Sequence, residues 1–128
     1  MLRFLSAEWL RAFDETLRAD RELGDRFAAN PIAIAQEVTG EPLVTYVIVL
    51  DGSGGRVDAD VRAVAPDVTF ACDRATATGL ARGTMNAQSA LTSGRLKVRG
   101  EVDRLAAASG ALAGLGDLLA DLRARTEF

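Results

Sequence analysis

Histidine is absent from the 128 residues, and cysteine occurs once, at Cys72. Without histidine neither a Ser-His-Asp nor a Cys-His catalytic arrangement can be built, and a metal site would lack its commonest ligand. A single cysteine forms no internal disulfide. Cys72 falls on the apolar side of a strand pattern, which reads as a buried, unreactive thiol. Long apolar runs are also missing, since no window reaches the about 18 uninterrupted apolar residues that span a bilayer. The first residues do not read as a secretion signal, because Arg3, Glu8 and Arg11 interrupt them. Arg125-Thr126-Glu127-Phe128 is not a Ser-Lys-Leu type address. The expectation is a cytoplasmic protein.

Charge of one sign does not accumulate either. The fifteen cations are scattered and the formal net charge is −3, so no basic stripe awaits a phosphate backbone, and nucleic acid is not an expected partner. The same balance argues against tight docking on an anionic membrane and leaves room for transient contact. What the chain does have is 48% hydrophobic residues in a length that suits one domain, residues 1–128. Folding would bury roughly two thirds of the extended-chain surface, enough for one core.

The clearest organisation lies between Asp67 and Asp103. Val68, Phe70 and Cys72 share one face of a strand. Leu96 and Val98 alternate with Arg95, Lys97 and Arg99, so the second strand wets its cationic face and buries the other. Between them, Arg74 to Arg82 reads as a helix stopped at Gly83, and Thr84 as the cap of a second helix from Met85 to Thr92, stopped at Gly94.

Upstream, Ser6 caps a helix whose Trp9, Phe13 and Leu17 recur at i+4. The stripe reads as core, with ligand contact as the alternative. A short helical turn is expected around Asp25 to Ala29. Strands follow at Ile32 to Val38 and Leu43 to Leu50. A hairpin through Asp51-Gly52-Ser53-Gly54-Gly55 leads into Val57, Ala59 and Val61, which alternate with charged residues. The glycines do not read as a phosphate cradle, because no helix follows them. Leu43 to Leu50 is apolar on both faces, which places it either at the centre of the sheet or against a second subunit. After Gly100, Val102, Leu105, Leu112, Leu115, Leu119 and Leu122 form one apolar stripe interrupted by Gly110, Gly114 and Gly116. That is either a poorly formed terminal helix or a movable cover.

Strands and helices in this order predict an α+β domain, a mostly antiparallel five-stranded sheet with helices on one face. Tyr46, Ile48, Val68, Phe70, Met85, Leu91, Leu96 and the terminal leucines, Leu105, Leu112 and Leu115 among them, would fill the layer between. Composition alone does not say whether that layer is solid.

The run Gly83-Thr84-Met85-Asn86-Ala87-Gln88-Ser89-Ala90, followed by Ser93-Gly94-Arg95-Leu96-Lys97-Val98-Arg99-Gly100-Glu101, resembles the signature of the sterol carrier protein type 2 family. It differs from that pattern in Arg95, Arg99 and Glu101, which keep the charge. The resemblance implies a hydrophobic tunnel between sheet and helices and a non-enzymatic carrier of fatty acid, fatty acyl-CoA or sterol, with no cofactor. Gln88, in the Ala-Gln motif, becomes a candidate for meeting the ligand head or the tunnel mouth, against the alternative of an exposed helix glutamine. An accessory or dimerisation module serving a lipid-metabolising enzyme is the second reading, monomer and homodimer both being open. An acid/base enzyme using Asp58, Asp60, Asp67 or Asp73 is the third, and these sit at outward positions or strand ends.

Overall fold

A computed structural model describes residues 1–128. The chain runs through β1 (Leu2–Arg3), α1 (Ala7–Ala19), α2 (Leu23–Phe27), β2 (Ile32–Thr39), β3 (Val44–Asp51), β4 (Gly54–Asp58) and β5 (Val68–Asp73). It continues through α3 (Arg74–Arg82), α4 (Ala87–Thr92), β6 (Lys97–Gly100), α5 (Val102–Ala113), α6 (Leu115–Leu118), α7 (Ala120–Ala124) and β7 (Thr126–Glu127). Five strands form one sheet in the order β4-β3-β2-β5-β6. Three of its pairings are antiparallel and one, β2 with β5, is parallel. The sheet is therefore mixed, because β5 returns beside β2 after the β3-β4 hairpin.

Register explains which residues face the core. Gln36 lies opposite Tyr46 on β3 and Phe70 on β5, and Phe70 lies opposite Val98 on β6. With period-2 alternation this face also carries Ile34, Val38, Ile48, Val68 and Cys72. The buried residues of the helices, from Trp9, Phe13 and Leu17 to Ala77, Ala90, Ala108 and Leu122, join these strand residues in one apolar cluster. All helices thus cover one face.

The other face answers the question raised by the doubly apolar strand. Val47 and Val49 are buried with Ala33 and Ala35 beneath Val64, which lies in the connection from β4 to β5. The chain itself covers them, and β3 is an inner strand. That connection also ends β4 earlier than the alternation of Val57, Ala59 and Val61 predicts. Asp58 and Asp60 carboxylates accept the amides of Asp60 (2.9 Å) and Arg62 (3.0 Å), so two Asx turns displace strand pairing and leave Val61 exposed.

Caps set the helix limits. Ser6 accepts the Trp9 amide at 3.1 Å, and Asp73 accepts the Thr76 amide at 2.8 Å. The start of α4 differs from expectation. Asn86 rather than Thr84 is its cap, accepting the amides of Gln88 and Ser89, while the Thr84 hydroxyl donates back to the Gly79 carbonyl. Asn leads the ranking of N-caps, which is why the helix begins there. Gly100 has φ of 111°, and a Cβ there would run into the Asp67 carbonyl. The terminal stripe is a helix broken at Gly114 and again at Leu119.

Two features close the edges. Asp14 on α1 accepts the outward Val57 amide of β4 at 2.8 Å while also taking Arg18 Nε at 2.8 Å. At the far edge β6 exposes Lys97 and Arg99, the latter paired with Glu37 at 2.8 Å.

Candidate functional site

Between the sheet and the helical layer lies a cavity of about 390 Å³. Its floor is the inner face of β2, β3 and β5, with Gln36, Val38, Tyr46, Ile48, Phe70 and Cys72, and is completed by Leu96 just before β6. Trp9 and Phe13 of α1 form one wall and Ala77, Leu80 and Ala81 of α3 another, with Met85 and Ala87 beside them. The last wall is the C-terminal segment, through Leu119, Leu122, Arg123, Thr126 and Phe128, joined by Phe4 from the N-terminal end.

The chain's two ends hold that wall in place. β1 and β7 pair in parallel, with the Leu2 amide donating to the Arg125 carbonyl (2.7 Å) and the Phe4 amide to Glu127 (3.0 Å). Trp9 Nε1 donates to the Thr126 hydroxyl at 3.1 Å, and that hydroxyl donates to the Leu122 carbonyl at 2.6 Å. Every polar atom of this buried relay is paired. Phe4 packs edge-on to Trp9 at 5.0 Å and against Phe128 at 5.1 Å, so an aromatic corner flanks the opening.

The cavity surface contains no aspartate, glutamate or lysine. Its one charged residue, Arg123, is exposed at the rim, where Nε donates to the Ala81 carbonyl at 2.8 Å. Arg82 lies nearby, its guanidinium 5.2 Å from the centre of the Phe128 ring. Neither arginine takes part in an ion pair. Inside, burial pushes the Tyr46 phenol well above its ordinary value, so it remains a neutral O–H donor. Burial also raises the Cys72 thiol, with the charge of Asp73 adding to the effect, and leaves little thiolate.

The structure brings Tyr46, Ile48, Phe70, Met85 and Leu96 to the cavity wall. Val68 is buried on the same face but does not reach it. Leu105, Leu112 and Leu115 are half-buried against the outside of the core, where the breaks in the terminal helix hand the cavity wall to Leu119 and Leu122 instead. Leu91 and Gln88 are exposed and off the cavity, because α4 starts at Ala87 and buries only Ala90. Sequence reasoning missed Phe4, Gln36, Leu80, Arg123 and Phe128. Only Gln36, a polar residue in the alternating series Ile32, Ile34, Gln36 and Val38, carried a signal.

The four aspartates considered for acid/base work do not converge. Asp58 and Asp60 hold surface turns. Asp67 accepts the Ala33 amide at 2.8 Å, and the hydrogen bonds of the helix cap hold the Asp73 carboxyl below its ordinary value. No group of three or more potential metal ligands comes together.

An apolar, partly open cavity between a sheet and a one-sided helical layer is the kind of space in which small ligands are commonly held. The chain belongs to the SCP-2 sterol transfer family, whose pattern it matches over residues 13–113. Among solved structures it is similar to a sterol carrier protein 2, at 20% identity and TM-score 0.68, covering 90% of this chain and 95% of that one. A protein from Thermus thermophilus described as possibly a sterol carrier protein aligns at 19% identity and TM-score 0.71, over 95% of this chain and 91% of that one. The UbiJ ubiquinone synthesis protein is a more distant likeness, at 18% identity and TM-score 0.51, over 82% of this chain and 92% of that one. A comparison with curated proteins gives no match. Membership of this family supports lipid or sterol binding as the general activity, and no helix is long and apolar enough to cross a membrane.

Proposed function

We propose that this protein is a non-enzymatic carrier that holds the apolar part of a lipid, a fatty acid or fatty acyl-CoA before a sterol, in the cavity between sheet and helices. The observation that carries this reading is the cavity itself: about 390 Å³, with 17 of its 20 lining residues hydrophobic. Apolar burial then supplies the affinity, at about 0.8 kcal/mol for each methylene withdrawn from water, less the cost of ordering the chain. Tyr46, Ile48, Phe70, Met85 and Leu96 would touch the ligand, and Val68 would support the floor from within the core. An anionic head would rest at the rim beside Arg123 and Arg82, cations without carboxylate partners, which favours acids and acyl-CoA over neutral sterols. Leu105, Leu112 and Leu115 would steady the broken helix whose opening admits the ligand.

Native mass spectrometry of protein purified without added lipid tests the reading, together with competition by fatty acids against a fluorescent fatty acid. A co-purified lipid or saturable displacement supports it. Absence of both would refute it.

The likeness to the UbiJ ubiquinone synthesis protein favours a second reading, an accessory module that presents a lipid to an enzyme. It predicts that cavity-blocking variants keep the partner contact and lose only the lipid.

A further inference from the structure

The cavity floor contains two polar groups that the fold does not use. Gln36 and Tyr46 are direct cross-strand partners on the face of the sheet that lines the cavity. Of their neighbours there, Val38, Ile48 and Phe70 are wholly apolar and Cys72 offers only a thiol. Neighbouring polar side chains such as Trp9 and Thr126 bond within the protein. The Gln36 amide and the Tyr46 hydroxyl make no side-chain hydrogen bond to any protein atom.

Yet no fully buried polar side-chain atom is left unpartnered. Both groups therefore reach accessible space, and for Tyr46, only 6% exposed, the adjoining space is the cavity. A leucine and a phenylalanine would occupy these positions without any desolvation cost, whereas an unpaired amide and hydroxyl against a hydrocarbon ligand would forfeit their hydrogen bonds to water. Their presence makes sense against a ligand that bonds to them. The amide offers a donor and an acceptor and the neutral phenol a donor, about one residue spacing apart across the strands. Such a pair suits a single oxygen, carbonyl or hydroxyl, and disfavours an unsubstituted chain by the hydrogen bonds it leaves unmade.

We propose that Gln36 and Tyr46 form a specificity pair that recognises a carbonyl or hydroxyl oxygen on the inserted, otherwise apolar part of the ligand. This rests on the lipid-binding reading and adds to it the class of lipid, an oxygen-bearing chain or ring rather than a plain hydrocarbon tail. The rim arginines meet the head, and the floor pair reads the body.

The test is competition against a fluorescent fatty acid by stearate and by a series of hydroxystearates and ketostearates with the oxygen placed along the chain. The wild-type protein is expected to prefer at least one oxygenated chain over stearate by about three- to tenfold, the worth of one neutral hydrogen bond. Tyr46→Phe and Gln36→Leu should each erode that preference by raising the affinity for stearate and lowering it for the favoured chain. Thermal midpoints should hold or rise in both variants, because neither group has a protein partner to lose. Equal affinity for all chains in the wild type overturns the pair and leaves lipid binding standing, as does a preference that survives both substitutions. A marked fall in midpoint for Tyr46→Phe also overturns it, by showing that the hydroxyl is bonded within the fold. Failure of every chain to displace the probe overturns lipid binding and this inference together.

Discussion

Replacing Ala77 with leucine separates an open cavity from a solid interior through the sign of one stability change. Ala77 lies on α3, is only 9% exposed and lines the cavity. Leucine adds three carbons. In a close-packed core that addition forces side chains off their rotamers and costs about 1–3 kcal/mol. In an unfilled cavity the same atoms enter existing space and leave water, worth up to about 2 kcal/mol at roughly 0.8 kcal/mol per methylene. Ala90, 1% exposed on α4 and away from the cavity, provides the contrast. Ala77→Leu should leave stability unchanged or raise it by up to about 2 kcal/mol, while Ala90→Leu should lower it by about 1–3 kcal/mol. At about 3–5 °C per kcal/mol for a domain of this size, calorimetry resolves both. Ala77→Leu should also weaken binding of a fluorescent fatty acid by occupying the space it needs. If both leucines destabilise to the same extent, the space between the layers is filled and the cavity argument fails.

Other perturbations test the frame around that cavity. Asp73→Ala removes the cap of α3 and should cost about 1 kcal/mol in denaturant unfolding at neutral pH. Because the Asp73 carboxyl titrates below its ordinary 3.8, its contribution is complete above that pH and is lost as pH falls through the lowered folded-state value. The difference between wild type and variant should therefore shrink below about pH 4, and a pH-independent difference would contradict the assignment. Gly100→Ala combines left-handed backbone with a clash against the Asp67 carbonyl and should cost more than about 1 kcal/mol in the same assay. Gly110 has open space around it inside α5, so Gly110→Ala should gain about 0.5–1 kcal/mol. If opening of the terminal helices admits the ligand, that variant should also release a bound fluorescent fatty acid more slowly in stopped flow.

Much of the fold was legible because its signals are local. The i+4 recurrence of Trp9, Phe13 and Leu17, the alternation of Leu96 and Val98 with cations, and the glycines at 83, 94 and 100 each depend on neighbours within a few residues. Of the three glycines expected to bend the terminal helix, Gly114 lies at a break, while Gly110 and Gly116 stay within α5 and α6. The pairing of β1 with β7 was not legible, since two-residue strands at opposite ends of the chain carry no periodicity. Nor was the cavity, which is a distance between layers and belongs to no single residue. Leucines at 105, 112 and 115 fit the apolar stripe as well as those at 119 and 122, and only the breaks at Gly114 and Leu119 decide which reach the interior. The family resemblance implied the cavity; the residues around it had to come from the fold.

The Asp14 carboxylate that takes the outward amide of Val57 has a consequence for the protein in concentrated solution. An unpaired strand edge is a template for another chain, and this sheet ends in β4 on one side and cationic β6 on the other. The charge of Lys97, which has no carboxylate partner, would oppose edge-to-edge stacking of two β6 strands, and the aspartate withdraws a donor that an incoming β4 strand would need. Asp14→Ala should leave the sheet order intact while exposing that donor, and the protein should then form oligomers or fibrils at concentrations where the wild type remains dispersed, as light scattering over time would register.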